Sequence, residues 1–371
     1  MCPPSQDCLQ IFFQLLIIGL TNGSAIALNA IGVTLVFSVI RTINFAYGDI
    51  FALTTVLVGT IISRLQLDTE TNSLALISGL FIALGAAMLV ASALNVAVER
   101  IAFRPFRSTS RLAPLIATLG ISFILYQAAL IWRRFEPSFH PGEHRSVPGL
   151  PEIPKGGFGE VLPQTDLFQI FGIQTNITFL FKDFLLLLIA IIFAGLVSWL
   201  LYRTKIGLSL RAVAQNPELA QYCGLDRNKI IRRAFMIGGA LSGAAAFIFT
   251  IYYTHPFGQH GLQSGLIAFA AAILGGIGRP WGAFVSGLFL GVIAAFSDYF
   301  LAAQWTPALV QVLLIALLVL RPTGVESEKE NNDLLSVAPR DMITRIPRDL
   351  KTRRNVWLAA GAMVLAILFP L

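Results

Sequence analysis

Three polar side chains interrupt the apolar pattern near the start of the chain. Asn44, Tyr47 and Asp49 lie in the segment RTINFAYGD, between two apolar runs. Their amide, phenol and carboxyl groups suit hydrogen bonding to a small polar solute. One interpretation is a broken helix at membrane depth that lines a solute path, with Gly48 allowing an unusual backbone turn. The alternative is an ordinary cytoplasmic turn in which Asn44 and Asp49 act as helix caps.

A glycine-rich break offers a second place for solute contact. Gly275, Gly276 and Gly278 interrupt a run of apolar residues that is too long for one untilted membrane helix. The break predicts two shorter helices, and a helix N-terminus at membrane depth would favour a solute carboxylate. The alternative is close helix packing through small residues four apart. The same spacing occurs at three other pairs, which are Gly19 and Gly23, Gly239 and Gly243, and Gly287 and Gly291.

The first apolar run, Ile11 to Ile40, is also too long for one untilted helix. It contains the polar and glycine-rich cluster Gly19 to Gly23. We therefore expect this run to form two shorter helices as well.

A charged element, Gly207 to Gly224, separates two long apolar spans. From Arg203 to Arg233 basic residues outnumber acidic ones by seven to two, which marks a cytoplasmic loop. Asn216 can cap a short helix, Pro217 suits its first position and Gly224 suits the residue after its end. One interpretation is that a soluble partner binds this helix. The alternative is that the helix lies on the lipid headgroups as an amphipathic turn.

Enzymatic function has little support in the sequence. There is no paired-carboxylate or Ser/His/Asp arrangement in a plausible site, no metal-ligand cluster, and no phosphate-binding loop of the Gly-xxxx-Gly-Lys-Ser/Thr kind. We expect no enzyme activity, no cofactor and no metal. Ionisable residues are also nearly absent from the spans, which argues for an energy source outside this chain.

Composition predicts an all-α polytopic membrane protein. The 371 residues are 56% hydrophobic and 13% charged, with a mean hydropathy of +0.73. Apolar runs of about 20 residues are typical of spanning helices, and we expect about eight transmembrane or re-entrant helices plus one C-terminal apolar helix. The net charge of +7 lies largely in loops predicted to face the cytoplasm, so it reports orientation and not nucleic-acid binding.

Several ordered segments resemble one known family. They are Gly19 to Asp49, Glu99 to Gly120, Gly207 to Gly224, Leu274 to Gly291, and the ending Arg321-Pro322-Thr323-Gly324. Together they resemble branched-chain amino acid ABC-transporter permeases of the LivH type over about residues 9–324.

The resemblance implies a multi-pass permease of the bacterial inner membrane. Its implied partners are cytoplasmic ABC ATPase subunits, a second permease of the LivM type and a periplasmic or extracellular solute-binding protein. The loop would be a variant of the Glu-Ala-Ala coupling motif, with Leu219 where an alanine would complete it. The residues implied in ATPase coupling are Arg211, Asn216, Pro217, Glu218, Ala220 and Gly224.

The same resemblance divides the chain into three parts. Residues 1–325 would form the permease domain, 326–355 a charged cytoplasmic linker, and 356–371 an apolar segment resembling the start of a LivM-type permease. We therefore expect either part of a fused pair of permeases or a remnant of one. The predicted substrate is a branched-chain or other neutral amino acid. A permease for urea or short amides and an ion-coupled secondary carrier are the alternatives.

Overall fold

The computed structural model describes residues 8–67, 72–106, 112–135, 161–162, 165–167, 178–253, 261–301 and 305–320. Within these ranges the chain is helical, apart from turns and an isolated bridge between Asp166 and Leu180. Seven of the described helices are long and apolar enough to cross a membrane. The predicted all-α polytopic class is confirmed. The linker 326–355 and the segment 356–371 lie outside the described residues, so the predicted domain division stays a prediction.

The first four helices are α1 (Cys8–Ile40), α2 (Ala46–Arg64), α3 (Ser73–Val98) and α4 (Leu112–Phe135). A π-helical turn, Glu99–Phe103, continues α3. The loop region and the remaining spans form seven more described helices: α5 (Phe181–Arg203), α6 (Lys205–Gln215), α7 (Pro217–Tyr222), α8 (Arg227–Tyr253), α9 (Gly261–Leu274), α10 (Pro280–Phe300) and α11 (Thr306–Leu320).

The helices divide into a buried centre and an apolar periphery. Helices α1, α2 and α8 are central, with 72%, 78% and 78% of their most apolar windows buried, against 22% for both α3 and α4. The outer helices expose large apolar side chains such as Phe81, Phe123 and Ile192. Such surfaces suit lipid tails, which are as apolar as the side chains themselves.

Helix α1 is one continuous helix, so the predicted break at Gly19 to Gly23 is wrong. The reason lies in its neighbour α10, which packs along it at backbone distance. A methyl group at Gly19 would meet the backbone of Val292, and one at Gly23 would meet the backbone of Leu288. These glycines serve close packing, in the way that small residues do between membrane helices.

The break between α1 and α2 is shorter than the sequence indicated and lies earlier. Helix α2 begins at Ala46, so Tyr47, Gly48 and Asp49 belong to its first turns. The expected unusual turn at Gly48 is wrong. The left-handed residue is Arg41, with φ of 59°, directly after the end of α1.

The glycine-rich break near residue 275 separates two helices, as predicted. Helix α9 ends at Leu274 and α10 begins at Pro280. Gly276 and Gly278 have φ of 88° and 86°, a region that favours glycine. Gly275 packs against the backbone of Gly282. Both interpretations of the segment are thus partly realised, because it breaks the helix and also allows close packing.

We predict that Gly287→Ala destabilises the helix bundle, because the added methyl group would meet the backbone of Ala27 on α1. Overpacking of this kind costs about 1–3 kcal/mol, more than the roughly 1 kcal/mol that Gly→Ala contributes in a helix. The measurement is thermal unfolding of the purified protein in detergent.

The matched control is Gly195→Ala on α5, where an added methyl group has no neighbour within 4 Å. It should unfold at the same temperature as the parent or above it. Equal shifts for the two variants would contradict the α1–α10 contact.

Candidate functional site

The segment from Arg41 to Phe45 joins α1 to α2 and fixes the direction in which its polar side chains point. The Arg41 N–H closes the last turn of α1 on the Phe37 carbonyl at 2.8 Å, and the Tyr47 N–H donates to the Asn44 carbonyl at 3.3 Å. The first half of α2 is buried among α8, α9 and α3. The segment itself is exposed at Arg41 and half-buried from Thr42 to Phe45.

Tyr47 crosses the interior of the bundle from α2 to α8. Its side chain is 2% exposed, and its hydroxyl donates a hydrogen bond to the Gly238 carbonyl at 2.7 Å. A methyl group at Gly32 of α1 would collide with the Tyr47 hydroxyl. Gly32 therefore makes the space that this tyrosine occupies.

Asn44 is held by an asparagine on α3. The Asn44 amide donates to Asn95 Oδ1 over a long 3.4 Å, and Asn95 Nδ2 donates to the Phe235 carbonyl of α8 at 2.8 Å. Asn95 is fully buried. A chain of hydrogen bonds thus connects the α1–α2 junction to α3 and α8.

Asp49 has its own set of contacts. Its Oδ2 accepts a hydrogen bond from the hydroxyl of Ser122 on α4, and its Oδ1 faces Gly261 at the start of α9. A carboxylate near a helix N-terminus is favourably placed. Gly48 beside it packs on the backbone of Gly261 and Gly265. This pair of residues therefore fixes α9 against α2.

An apolar cavity opens beside Asn44 and Tyr47. Asp49 is not part of its lining. Residues of α1, the junction and α9 form the wall: Val33, Val36, Phe37, Thr42, Ile43, Asn44, Phe45, Tyr47, Leu262, Gly265, Leu266 and Phe269.

Two polar atoms of this wall are left without a partner. Thr42 Oγ1 and Asn44 Oδ1 are buried and make no hydrogen bond, although buried polar atoms nearly always have one. The cavity thus combines an aliphatic and aromatic wall with a hydroxyl and an amide oxygen. These groups match the chemistry of a small solute that has an apolar side chain and a polar end.

Gly278 belongs to a different cavity, on the side of the basic loop. Its N–H approaches Thr34 Oγ1 of α1 at 3.4 Å, beside a space between α1, α6 and the start of α10. Arg211 of α6 lines the same space, with its guanidinium carbon 5.3 Å from the centre of the Tyr202 ring. The structure therefore separates the glycine break from Asn44 and Tyr47.

The chain matches the family model described as branched-chain amino acid transport system / permease component over residues 15–321. The chain belongs to this family. It is 30% identical to the permease protein BraD of Pseudomonas aeruginosa over 322 residues, which cover 86% of this chain and 97% of that protein. It is 31% identical to LivH of Salmonella typhimurium and 30% identical to LivH of Escherichia coli K12, each over 319 residues, covering 86% of this chain and 96% of the relative.

The names of these relatives are those of high-affinity branched-chain amino acid transport permeases. No solved structure matches the chain. Family membership and the seven apolar helices make this a multi-pass membrane permease. The comparisons favour the amino acid permease over the urea permease and the ion-coupled carrier.

The loop of this permease holds two helices where the sequence predicted about two helical turns. Asn216 caps α7, since its Oδ1 accepts from the N–H groups of Glu218 and Leu219 at 3.0 and 3.1 Å. Pro217 opens α7, and Gly224 has φ of 80°. The predicted roles of Asn216, Pro217 and Gly224 in shaping the helix are confirmed.

The exposed face of α7 is partly apolar. Tyr222 is 89% exposed and Leu219 58%, and Glu218 lies beside them. Ala220, which the family motif placed among the coupling residues, is buried under the helix. It therefore supports α7 from below, and the exposed residues are the ones that a partner could contact.

The sequence analysis did not identify the residues that form hydrogen bonds to the predicted site residues. Asn95 and Ser122 are polar residues inside apolar spans, and that position was the available signal for both. Asp226 was also missed. Its Oδ1 accepts from the N–H groups of Lys229 and Asn228 at 3.3 and 3.0 Å. These backbone bonds, that of Lys229 above all, hold the pKa of the Asp226 carboxyl below its usual range and mark the start of α8.

Among the described residues, no group of three or more His, Cys, Asp or Glu side chains lies close enough together to hold a metal ion. The wall of the cavity beside Asn44 consists of apolar side chains and neutral hydrogen-bonding groups.

We predict that Tyr47→Phe lowers the free energy of unfolding by about 0.5–1.5 kcal/mol, the net value of a typical hydrogen bond. The reason is the lost hydroxyl bond to the Gly238 carbonyl. Thermal unfolding of the purified variant measures this loss of stability.

Tyr222→Phe is the control, because the Tyr222 side chain is exposed on α7 and its change should stay within about 0.5 kcal/mol. Indistinguishable stabilities of the two variants would argue against a structural bond at Tyr47.

Proposed function

We propose that this permease is the membrane subunit of an ATP-driven importer for branched-chain or other neutral amino acids, and that the cavity beside Asn44 lies on the substrate path. The observation that carries the proposal is the pairing of an apolar wall with two unpartnered oxygens. Family membership supplies the reaction class, which is transport without chemical change of the solute.

The chemistry of the cavity suits an aliphatic amino acid. Phe37, Phe269 and Leu266 offer dispersion contacts to a branched side chain. Asn44 Oδ1 is a hydrogen-bond acceptor and suits an ammonium group, whereas the Thr42 hydroxyl can donate to a carboxylate. Leaving either oxygen buried without a partner is unfavourable, so a zwitterion that bonds to them would be held by relief of that penalty.

Tyr47 and Asp49 contribute to this path by fixing the helices that form the cavity wall. Tyr47 forms part of the cavity wall while its hydroxyl is bound to α8. Asp49 fixes the start of α9, and the same helix places Leu262 and Leu266 in the cavity wall. We assign Asp49 to the path as the support of α9, without direct contact to the solute.

Gly275, Gly276 and Gly278 are proposed for the cytoplasmic end of the path. They lie between α9, which contributes to the cavity wall, and the space lined by Arg211. The two positive φ angles in this turn are accessible only to glycine without strain. A turn of this kind can change its conformation as α9 and α10 move.

The energy source and the remaining path are proposed to lie in other chains. By analogy with the family, cytoplasmic ABC ATPases dock on the α6–α7 loop, a second permease of the LivM type pairs with this one, and a periplasmic binding protein delivers the solute. The location is then the bacterial inner membrane. The exposed Glu218, Leu219 and Tyr222 supply an apolar patch with one charge, and the exposed Arg211 lies over the Tyr202 ring.

The test of this function is uptake of labelled leucine, alanine, glutamate and urea by cells with and without the gene. We expect leucine uptake to fall without it, urea uptake to stay unchanged, and uptake to persist when the ion gradient is collapsed while ATP is maintained. Loss of urea uptake alone would overturn the substrate. Collapse with the ion gradient would indicate a secondary carrier, and no change for any solute would indicate a remnant.

The cavity itself is tested by Val33→Phe, which adds an aromatic ring to its wall. We expect leucine uptake to fall more than alanine uptake, with the leucine-to-alanine ratio changing by about ten-fold, because pocket contacts of this size are worth about 1–3 kcal/mol.

Val90→Phe on the exposed face of α3 introduces the same ring away from the cavity and should leave both rates unchanged. Equal loss of leucine and alanine uptake in Val33→Phe would speak against a side-chain pocket.

A further inference from the structure

One arginine connects the basic loop to the segment that carries Asn44. The Arg41 guanidinium donates hydrogen bonds to the carbonyls of Ala214 and Gln215 at 2.9 and 3.3 Å. These are the carbonyls at the end of α6, directly before Asn216, the cap of α7. The contact joins parts of the chain that are 173 and 174 positions apart.

The contact supplies hydrogen-bond donors to backbone carbonyls that have no partner within their own helix. The last carbonyls of an α-helix have no partner within the helix, and a cation at this end is favourable. An arginine can bond two carbonyls at once through its planar donor group, which a lysine ammonium does with less directional definition. Arg41 thereby fixes the end of α6 and the position where α7 begins.

The backbone of Arg41 is in an unusual conformation. Its φ of 59° is the left-handed region, which is unfavourable for residues other than glycine. Such conformations persist where surrounding contacts hold them, and they cluster at functional sites and switch regions. At this junction the side-chain bonds to α6 are contacts of that kind.

The other contacts between α1 and α6 are apolar. Leu35 and Val39 of α1 and Leu210 and Val213 of α6 are buried in the same hydrophobic core. The Arg41 bonds add directed hydrogen bonds at the end of α6, where α7 begins.

The other end of the connection is the substrate cavity. Thr42 follows Arg41 directly in the chain, and Asn44 lies two residues further on. Both line the cavity, and each has a buried oxygen without a hydrogen-bond partner. A shift of the Arg41 backbone necessarily moves these neighbours, since few bonds separate them. Asn44 is further tied to Asn95 and thereby to α8.

We propose that Arg41 is the positioning residue that transmits movement of the α6–α7 loop to Thr42 and Asn44 in the cavity. The inference rests on the proposed function, since it takes the loop as the place where the ATPase acts. Arg41 itself is not part of the cavity wall. It sets the geometry of the residues that are.

The experiment uses the whole transporter, reconstituted in liposomes with its ATPases and leucine-loaded binding protein. Arg41→Ala, Arg41→Lys and Glu218→Arg are compared with Lys205→Ala, an exposed basic residue on the same loop. For each, the measurements are ATPase co-purification, basal and stimulated ATP hydrolysis, leucine uptake and thermal unfolding.

We expect Arg41→Ala to retain ATPase association and basal hydrolysis, while leucine transported per ATP falls by at least about five-fold, the scale of typical coupling energies. Arg41→Lys should lie between Ala and the parent. Glu218→Arg should lose association itself, and Lys205→Ala should match the parent. A destabilised protein would instead show lower unfolding temperature with an unchanged ratio of uptake to ATP.

Two results separate the inference from the proposed function. If the parent shows ATP-driven leucine uptake and Arg41→Ala has the same uptake per ATP, Arg41 is no link, although the function stands. Loss of ATPase association in Arg41→Ala would overturn the inference in the same way. If the parent itself shows no ATP-driven uptake, the proposed function and the inference both fail.

Discussion

Close backbone contact between helices is the constraint on which this structure depends. Lipid tails are as apolar as the side chains, so helices are held by packing and hydrogen bonds, and small residues are what let them approach. Glycines along α1 and α10 bring the two helices to backbone distance, as Gly239 and Gly243 do for α8 against α3. These contacts hold α1 at the centre of the bundle, and they thereby fix the place at which α1 ends.

The end of α1 shows how the polar groups of an irregular segment are bound within the bundle. The segment is exposed at Arg41 and half-buried from Thr42 to Phe45. Next to it Tyr47 binds the carbonyl of Gly238, and Asn44 binds Asn95, which binds the carbonyl of Phe235. Thr42 and Asn44 each keep one buried oxygen without a partner, and both residues line an apolar cavity. The polar groups of one short junction thus serve both the fold and the proposed contact with the solute.

The basic loop is in direct hydrogen-bonding contact with this junction. Helix α7 is fixed by the Asn216 cap at its start, and α6 is fixed by Arg41 at its end. The loop therefore presents Leu219 and Tyr222 outward from a defined position. The proposed docking surface and the proposed solute cavity are then joined through a few residues with directed hydrogen bonds.

The sequence alone determined the helical class, the basic loop with its caps at Asn216 and Gly224, the break near Gly275 and the permease family, because these follow from local composition and short motifs. Tertiary structure alone decided that Gly19 packs instead of breaking α1 and that Ala220 faces inward. It also placed the unusual backbone conformation at Arg41, where the sequence had suggested Gly48. It also paired Tyr47 with Gly238 across 191 positions and Asp49 with Ser122 across 73. A local pattern cannot specify such pairs, because each depends on which helix faces which, and that is settled by the packing of the whole bundle.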